Sequence, residues 1–155
     1  MSAPELMRAL ADGGIEHELL PHRRTDRAAE EAAALEISPE EVAKTIVLEG
    51  EQTRARVVVP ASERVDLRKA RAALGEGKDA RLATEDELAA AYPMFELGAV
   101  PPFGGPAGDR VLVDSRVAER ESIVFEAGSH GESLRMKTAD VLRLSGAEVA
   151  DVCRD

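Results

Sequence analysis

Hydrophobic positions along the chain follow two periods, one typical of helices and the other typical of strands. Helical spacing behind a capping residue predicts helices that begin near Ser2, Thr25 or Asp26, Ser38, Asp66, Thr84 and Thr138. Strand-like runs cover residues 15–20, 44–48, 54–59, 111–114, 122–126 and 133–136. This mixture, with hairpins prominent, predicts an α+β fold in which a mixed, twisted and barrel-like β-sheet is flanked by helices.

Local turn and capping signals set the boundaries between these elements. Residues 38–41 and 84–87 each have the Ser/Thr-x-x-Glu pattern of a capping box, and both precede a predicted helix. Residues 49–53 separate two strand-like runs by the length of a hairpin turn, and the Gly- and Pro-rich residues 98–109 predict a loop. Because there is neither a repeat nor a low-complexity linker, residues 1–155 are predicted to form a single domain.

Cysteine usage and hydropathy indicate the cellular compartment in which the protein is expected. The single cysteine, Cys153, can form neither an internal disulfide nor a cysteine-based metal cluster, which predicts a reducing, cytoplasmic environment. The first residues lack the basic and apolar regions of a secretory signal. The longest apolar runs are far short of the roughly 18 residues that a transmembrane helix needs, so no membrane partner is expected.

The net charge limits the kinds of nucleic-acid partner that are expected. With 30 acidic and 20 basic residues the net charge is −10, which argues against a non-specific nucleic-acid binder and against DNA as a partner. It does not exclude an enzyme that grips only the end of an RNA, where few phosphates need neutralising. The three histidines are scattered without metal-ligand spacing, so neither a metal nor another cofactor is expected.

The first candidate for chemistry is Lys44, which stands at the start of the apolar strand 44–48. Such a lysine can simply extend its ammonium group to water from the mouth of the strand. Alternatively, the sheet positions the ammonium group in a pocket, where it pairs with a phosphate or polarises a carbonyl.

The second candidate is the loop Gly98-Ala99-Val100-Pro101-Pro102-Phe103-Gly104-Gly105. Proline fixes the backbone and removes a donor, whereas glycine permits close approach and positive φ. The loop is therefore stiff, and it can be either a structural turn or a pocket wall that presents backbone N–H groups. Its length and lack of charge favour the pocket wall.

The third candidate is Gly128-Ser129-His130-Gly131, between two strand-like runs. Flanking glycines allow a tight turn, and histidine is a ready acid or base near neutral pH. An ordinary hairpin turn with a surface histidine is the alternative. His17 and His22 are interpreted as structural or exposed residues.

Taken together and in this order, the three motifs resemble the YbaK/prolyl-tRNA synthetase editing-domain family. The resemblance rests on three motifs, which are Lys44 within residues 42–48, the Gly-x-x-x-Pro segment Gly98–Pro102, and Gly128-Ser129-His130. The likeness extends from about Glu16 to Leu144. It implies a mixed-sheet fold and hydrolysis of the ester that joins a wrongly attached amino acid to the 3′ end of tRNA, without a metal or organic cofactor. A chain of this length would act in trans on aminoacyl-tRNA.

The resemblance also implies roles for particular residues. Lys44 would hold the terminal phosphate or the reacting ester, and backbone amides from Gly98 to Pro102 would face the carbonyl oxygen. His130 would place the attacking water or the ribose hydroxyl. The expected substrate-binding residues are Ala99, Val100, Pro101, Gly128, Ser129, Thr25 and Phe95.

Two questions stay open at this point. The cysteine-clearing branch of the family carries a more polar central loop than Ala99-Val100-Pro101, so no particular amino acid is assigned as substrate. A non-catalytic module of the same fold, which binds a small aminoacyl or nucleotide ligand, is the alternative function. Docking on an aminoacyl-tRNA synthetase, which would supply the tRNA affinity, is compatible with the first reading.

Overall fold

The computed structural model describes residues 3–51, 53–75, 80–106 and 108–155. Its helices are α1 (Ala3–Asp12), α2 (Ala28–Ala34), α3 (Leu67–Leu74), α4 (Glu85–Ala91), α5 (Ser115–Ala118) and α6 (Thr138–Ser145), with a 3₁₀ turn at Pro39–Glu41. Its strands are β1 (Glu18–Pro21), β2 (Ala43–Glu49), β3 (Arg54–Pro60), β4 (Arg81–Leu82), β5 (Arg110–Asp114), β6 (Ser122–Ser129), β7 (Glu132–Lys137) and β8 (Glu148–Ala150). The predicted α+β class is confirmed.

The strands form two open sheets within the described residues. One has the order β1-β7-β6 and is antiparallel throughout. The other has the order β4-β2-β3-β5-β8, in which β3, β5 and β8 run parallel. A single parallel bridge between Val42 and Val124 connects the sheets, so the predicted barrel-like curvature does not extend to a closed barrel in this part of the chain.

Two apolar clusters cover the two faces of the five-stranded sheet. Between the sheets, α1 and α6 bury Leu6, Leu10 and Val141 against Phe125 and Leu134. On the opposite face, α3 packs against β2, β3 and β5. Because both faces are covered, β3 carries an almost continuous apolar run rather than an alternating one.

Several capping predictions are confirmed in detail. Asp66 accepts hydrogen bonds from the amides of Arg68 and Lys69 at the start of α3, and Thr84 forms the predicted capping box with Glu87. Ser38 also forms its capping box, although the helix behind it is only a short 3₁₀ turn. The predicted cap Ser2 lies outside the described residues.

Some predicted boundaries are wrong for identifiable reasons. β1 begins at Glu18 rather than at residue 15, because the amide of Ile15 still closes the end of α1 on the carbonyl of Leu10. α2 begins at Ala28 rather than behind Thr25, whose amide bonds instead to the carbonyl of His130. Thr138 is the first residue of α6 and not its cap.

The elements that the sequence missed, β4, α5 and β8, are two to four residues long. Such lengths are too short for a hydrophobic period to develop. None of the described helices combines the length and the apolar character that crossing a bilayer requires.

Candidate active site

A cavity of about 320 Å³ lies among α2, the start of β2, the Gly/Pro-rich loop and β6. This volume is at the lower end of the range of small-molecule sites. The cavity is lined by Asp26, Arg27, Ala28, Ala29, Glu31, Ala43, Lys44, Thr45, Ile46, Ala61, Gly98, Val100, Phe125 and Glu126. Segments that are far apart in the sequence therefore meet around one small, charged space.

Lys44 lies at the cavity wall and is partly buried. It faces Val59 across the β2–β3 pairing, on the side of β2 that also carries Ile46 and Leu48. Burial lowers the pKa of Lys44 from its ordinary value, while the nearby Cys153, Arg64 and Glu63 have smaller effects. No hydrogen bond or ion pair to its ammonium group is found among residues 3–51, 53–75, 80–106 and 108–155. Lys44 is thus a cation at the cavity without a fixed partner there.

The Gly/Pro-rich loop is held in place by a buried arginine on β3. Arg56 is 2% exposed, and its guanidinium donates to the carbonyls of Pro101 at 2.9 Å and Gly104 at 2.6 Å. It also donates to Asp109 at 3.1 Å, and this carboxylate accepts the Tyr92 hydroxyl at 2.5 Å. We call Arg56, Tyr92 and Asp109 the Arg56 cluster. Because each guanidinium nitrogen has a partner, the cluster fixes the loop backbone without leaving an unpaired charge.

The start of this loop presents backbone donors. Gly98 has φ of +84°, which favours glycine at this position. The amide of Ala99 is occupied by the carbonyl of Glu96 at 3.0 Å. Within the described part of the chain, the amides of Gly98 and Val100 donate to no backbone or side-chain group. Two donors next to the cavity therefore stay available for a ligand oxygen.

His130 is buried behind Gly98. Its Nε2 lies 2.6 Å from the carbonyl oxygen of Leu97, which makes Nε2 the protonated nitrogen of the ring. Its Nδ1 lies 2.8 Å from Oε2 of Glu126, although the geometry falls short of a hydrogen bond. A Cβ added at Gly98 would be 3.5 Å from Cε1 of His130, so the ring packs directly under the loop.

Glu126 is one of the two largely buried glutamates that line the cavity. Burial, with smaller contributions from the charges of Glu31 and Glu96, raises the pKa of Glu126 to about 9. At neutral pH the carboxyl group therefore keeps its proton. This protonation suits its neighbour, because an ionised carboxylate would place two lone pairs against each other at the unprotonated Nδ1 of His130.

A second buried acid, Glu31 of α2, is 0% exposed. Its Oε2 accepts the hydroxyl of Ser133 at 2.5 Å, and the same hydroxyl oxygen lies 2.9 Å from Nε2 of His22. Burial raises the pKa of Glu31 to about 7, and the Ser133 hydrogen bond opposes that rise. Oε1 of Glu31 has no hydrogen-bond partner in the described structure. We call Glu31, Glu126 and His130 the acidic cluster.

Other predicted site residues shape the surroundings of the cavity. Gly128 has φ of +92°, and a Cβ there would lie 2.6 Å from Cδ1 of Phe95. Phe95 lines a second cavity of about 340 Å³, which shares Gly98 and Val100 with the first. The Ser129 hydroxyl accepts the amide of the following glycine, Gly131, and so stabilises the turn.

Of the residues predicted from the sequence, Lys44, Gly98 and Val100 line the first cavity itself. His130 and Thr25 lie behind its wall, joined by a 3.1 Å bond from the Thr25 amide to the His130 carbonyl. The other predicted residues do not line this cavity. Ala99 is buried, the carbonyl of Pro101 accepts a hydrogen bond from Arg56, and Pro102 lines a different cavity. Gly128, Ser129 and Phe95 form the turn region.

Sequence reasoning missed Glu31, Glu126 and Arg56. Glu31 looks like the solvent side of an Ala/Glu-rich helix, and Glu126 is only the last residue of the strand-like run 122–126. Arg56 did carry a signal, because it is a lone cation inside the run from Ala55 to Val59. Among the described residues, no group of three His, Cys, Asp or Glu side chains is placed to hold a metal ion.

The comparisons with known proteins agree with the fold. The model of the aminoacyl-tRNA editing domain family matches residues 22–144, and the chain belongs to this family. No curated protein matches it. The crystal structure of hypothetical protein APE2540 is similar, with a TM-score of 0.87, 25% identity and coverage of 97% of this chain and 99% of that one. A candidate trans-editing enzyme for prolyl tRNA synthetase is similar with a TM-score of 0.85, 27% identity and coverage of 99% and 97%.

Proposed function

We propose that the protein is a trans-editing hydrolase, which cleaves the ester of a mischarged aminoacyl-tRNA. Membership of the aminoacyl-tRNA editing domain family supports this proposal, as does the full-length likeness to a candidate trans-editing enzyme. The observation that carries it is the convergence of Lys44, Gly98 and Val100 on one cavity of about 320 Å³. A cavity of this size suits a single small amino acid and the adjoining ribose.

In the proposed reaction, water adds to the ester carbonyl and the bond to the ribose oxygen breaks. The proton of the water ends on the ribose oxygen, so the products are the free amino acid and the tRNA with its hydroxyl restored. An aminoacyl ester is already activated, so the site needs to position the reactants and stabilise the oxyanion. The unoccupied amides of Gly98 and Val100 are suited to the oxyanion. The Lys44 ammonium is suited to a phosphate or the ester.

His130 is proposed to act mainly by holding the loop. Its Nε2 donates to the Leu97 carbonyl and its Nδ1 faces Glu126, so both nitrogens are directed at protein groups. The ring therefore fixes the backbone immediately before Gly98. The placement of water or the ribose hydroxyl by His130, expected from the family resemblance, stays a prediction.

The test is hydrolysis of a panel of mischarged tRNAs, with alanyl, cysteinyl and seryl groups on proline and other acceptors. We expect selective hydrolysis, with a fall of about 100-fold or more in Lys44→Ala if the ammonium group contacts the reacting ester. Lys137→Ala is the matched control, because Lys137 is an exposed lysine paired with Glu16. Hydrolysis by Lys44→Ala at the parent rate would remove Lys44 from the mechanism.

If every charged tRNA stays intact, the non-catalytic binding module becomes the better proposal. The acidic lining of the cavity favours that second function, because such a lining suits a small amino-bearing ligand without an RNA-sized basic surface. Recovery of hydrolysis on adding an aminoacyl-tRNA synthetase would instead support docking on a partner.

A further inference from the structure

The most incomplete polar arrangement in the described structure is the acidic cluster. Buried polar atoms of a protein are nearly always hydrogen-bonded. Here Oε1 of Glu31 is buried and lacks a hydrogen-bond partner, while the buried Oε2 of Glu126 and Nδ1 of His130 face each other at 2.8 Å without the geometry of a hydrogen bond. Both glutamates line the 320 Å³ cavity, so the unpaired oxygen of Glu31 belongs to a residue of the proposed substrate site.

We propose that Glu31 and Glu126 form the subsite for the α-ammonium group of the aminoacyl ester. This inference rests on the proposed function and adds to it the part of the substrate that the acids recognise. An ammonium group has three donors and no acceptor, so it requires a set of acceptors without competing donors. The two carboxyl groups supply such acceptors on one side of a small cavity.

The charges of the subsite also balance. A buried ammonium group is strongly disfavoured unless it is paired with a carboxylate. Glu31 is the carboxyl group that ionises for this purpose, because its Oε2 already accepts the Ser133 hydroxyl and that hydrogen bond favours the charged form. Glu126 keeps its proton on the side that faces Nδ1 of His130 and offers its other oxygen as a neutral acceptor.

The surrounding contacts fix Glu31 in one position. Ser133 is 0% exposed and holds Oε2, and His22 in turn contacts the Ser133 oxygen. Oε1 is left without a partner. An unpaired oxygen on a carboxyl group whose other oxygen is anchored is the arrangement expected when a ligand completes the hydrogen bonding.

The proposal makes the free amino group a requirement of the substrate. The first experiment measures single-turnover hydrolysis of whichever aminoacyl-tRNA of the panel the parent cleaves, together with its N-acetylated form. N-acetylation removes the positive charge and should lower the parent's apparent affinity by about ten- to hundredfold, as expected for hydrogen bonds to charged groups.

The matched variants are Glu31→Gln, Glu126→Gln and the control Glu30→Gln. Glu30 is an exposed acid next to Glu31 on the same helix. Glu31→Gln should raise KM for the free-amino substrate about tenfold or more and leave the N-acetylated substrate nearly unchanged, while Glu30→Gln behaves as the parent. If Glu31→Gln raised KM equally for both substrates, Glu31 would be only structural, and this result would overturn the proposal.

A binding experiment separates this inference from the proposed function. The probe is 3′-(L-alanyl)amino-3′-deoxyadenosine, whose amide bond resists hydrolysis, with its N-acetyl derivative as the comparison. Calorimetric titration should show binding of the free-amino probe to the parent and at least tenfold weaker binding to Glu31→Gln. This result would support the ammonium subsite even if no tRNA were hydrolysed. Equal binding of the two probes, or no binding of either, would overturn it.

Discussion

Two buried polar clusters lie near the Gly/Pro-rich loop, and they differ in how completely their hydrogen bonds are satisfied. In the Arg56 cluster, the three guanidinium nitrogens have partners and the Tyr92 hydroxyl donates to Asp109. In the acidic cluster, Oε1 of Glu31 has no partner, and Oε2 of Glu126 and Nδ1 of His130 face each other at 2.8 Å without the geometry of a hydrogen bond. The first arrangement is typical of a scaffold, and the second is typical of a site whose missing partner is a ligand.

The difference also concerns stability. A satisfied network of charges is costly to break, because the remaining partner is left buried and uncompensated. An unsatisfied acidic cluster already has a desolvation cost in the folded protein. Substitutions in the Arg56 cluster should therefore lower the free energy of unfolding. Substitutions in the acidic cluster should remove part of the desolvation cost of the folded protein.

The largest effect is expected for Arg56→Met. The substitution leaves Asp109 without its principal cation and frees the carbonyls of Pro101 and Gly104. We expect the free energy of unfolding in urea to fall by about 3–5 kcal/mol. The double variant Arg56→Met/Asp109→Asn should recover part of this loss, and a single variant as stable as the parent would show that the cluster is not a scaffold.

A smaller effect is expected for Gly128→Ala at the turn beside the acidic cluster. Its φ of +92° disfavours a side chain, and the new Cβ would meet Phe95 at 2.6 Å. Together these should cost about 1–3 kcal/mol in the free energy of unfolding. The control is Gly131→Ala, where the nearest atom is 3.8 Å from the Cβ position and no positive φ is involved. Equal costs at both glycines would contradict the role given to Phe95.

Glu126 adds a gradual pH dependence to the stability, which is small over any single pH unit. Its pKa is raised to about 9 in the folded protein, so the folded state holds a proton that the unfolded state releases from about pH 4.5 upward. The stabilisation is complete below that pH and is lost as the pH rises toward 9. The slope for one such proton is at most about 1.4 kcal/mol per pH unit.

Glu126→Gln isolates this contribution. Between pH 6 and 8.5 the unfolding free energy of the parent should fall relative to that of Glu126→Gln, as measured by urea titrations at each pH. Glu121→Gln, at an exposed acid just before β6, should follow the parent. Parallel curves for the parent and Glu126→Gln would show that Glu126 is ionised throughout this range.

The parts of the fold that sequence predicted correctly are those with a local cause. The caps at Asp66 and Thr84 depend on residues within one helical turn, and both are present. The hairpin of β2 and β3 follows from two strand-like runs and a short connection. The family motif likewise located the loop at Gly98 and the turn at His130, because each is a continuous segment.

The rest of the site depends on distant contacts that no local pattern contains. Glu31 is buried because Ser133, 102 residues later, comes to lie against it. In sequence it resembles its exposed neighbour Glu30, so helical periodicity alone does not separate the two. Arg56 is easier to notice than Glu31, because a cation inside an apolar strand is unusual. Its acceptors, the carbonyls of Pro101 and Gly104, become visible only in three dimensions.

The pairing of β1 with β7 has a consequence for the order in which the protein folds. His22 contacts Ser133 across 111 residues of chain, and the strand next to His22 pairs with β7. Pairings between such distant segments slow folding, because the loop must close before the contact can stabilise it. During synthesis, Glu31 and Lys44 leave the ribosome long before His130 does, so the proposed site is completed only late. A nascent chain should therefore lack the complete site until β7 has emerged.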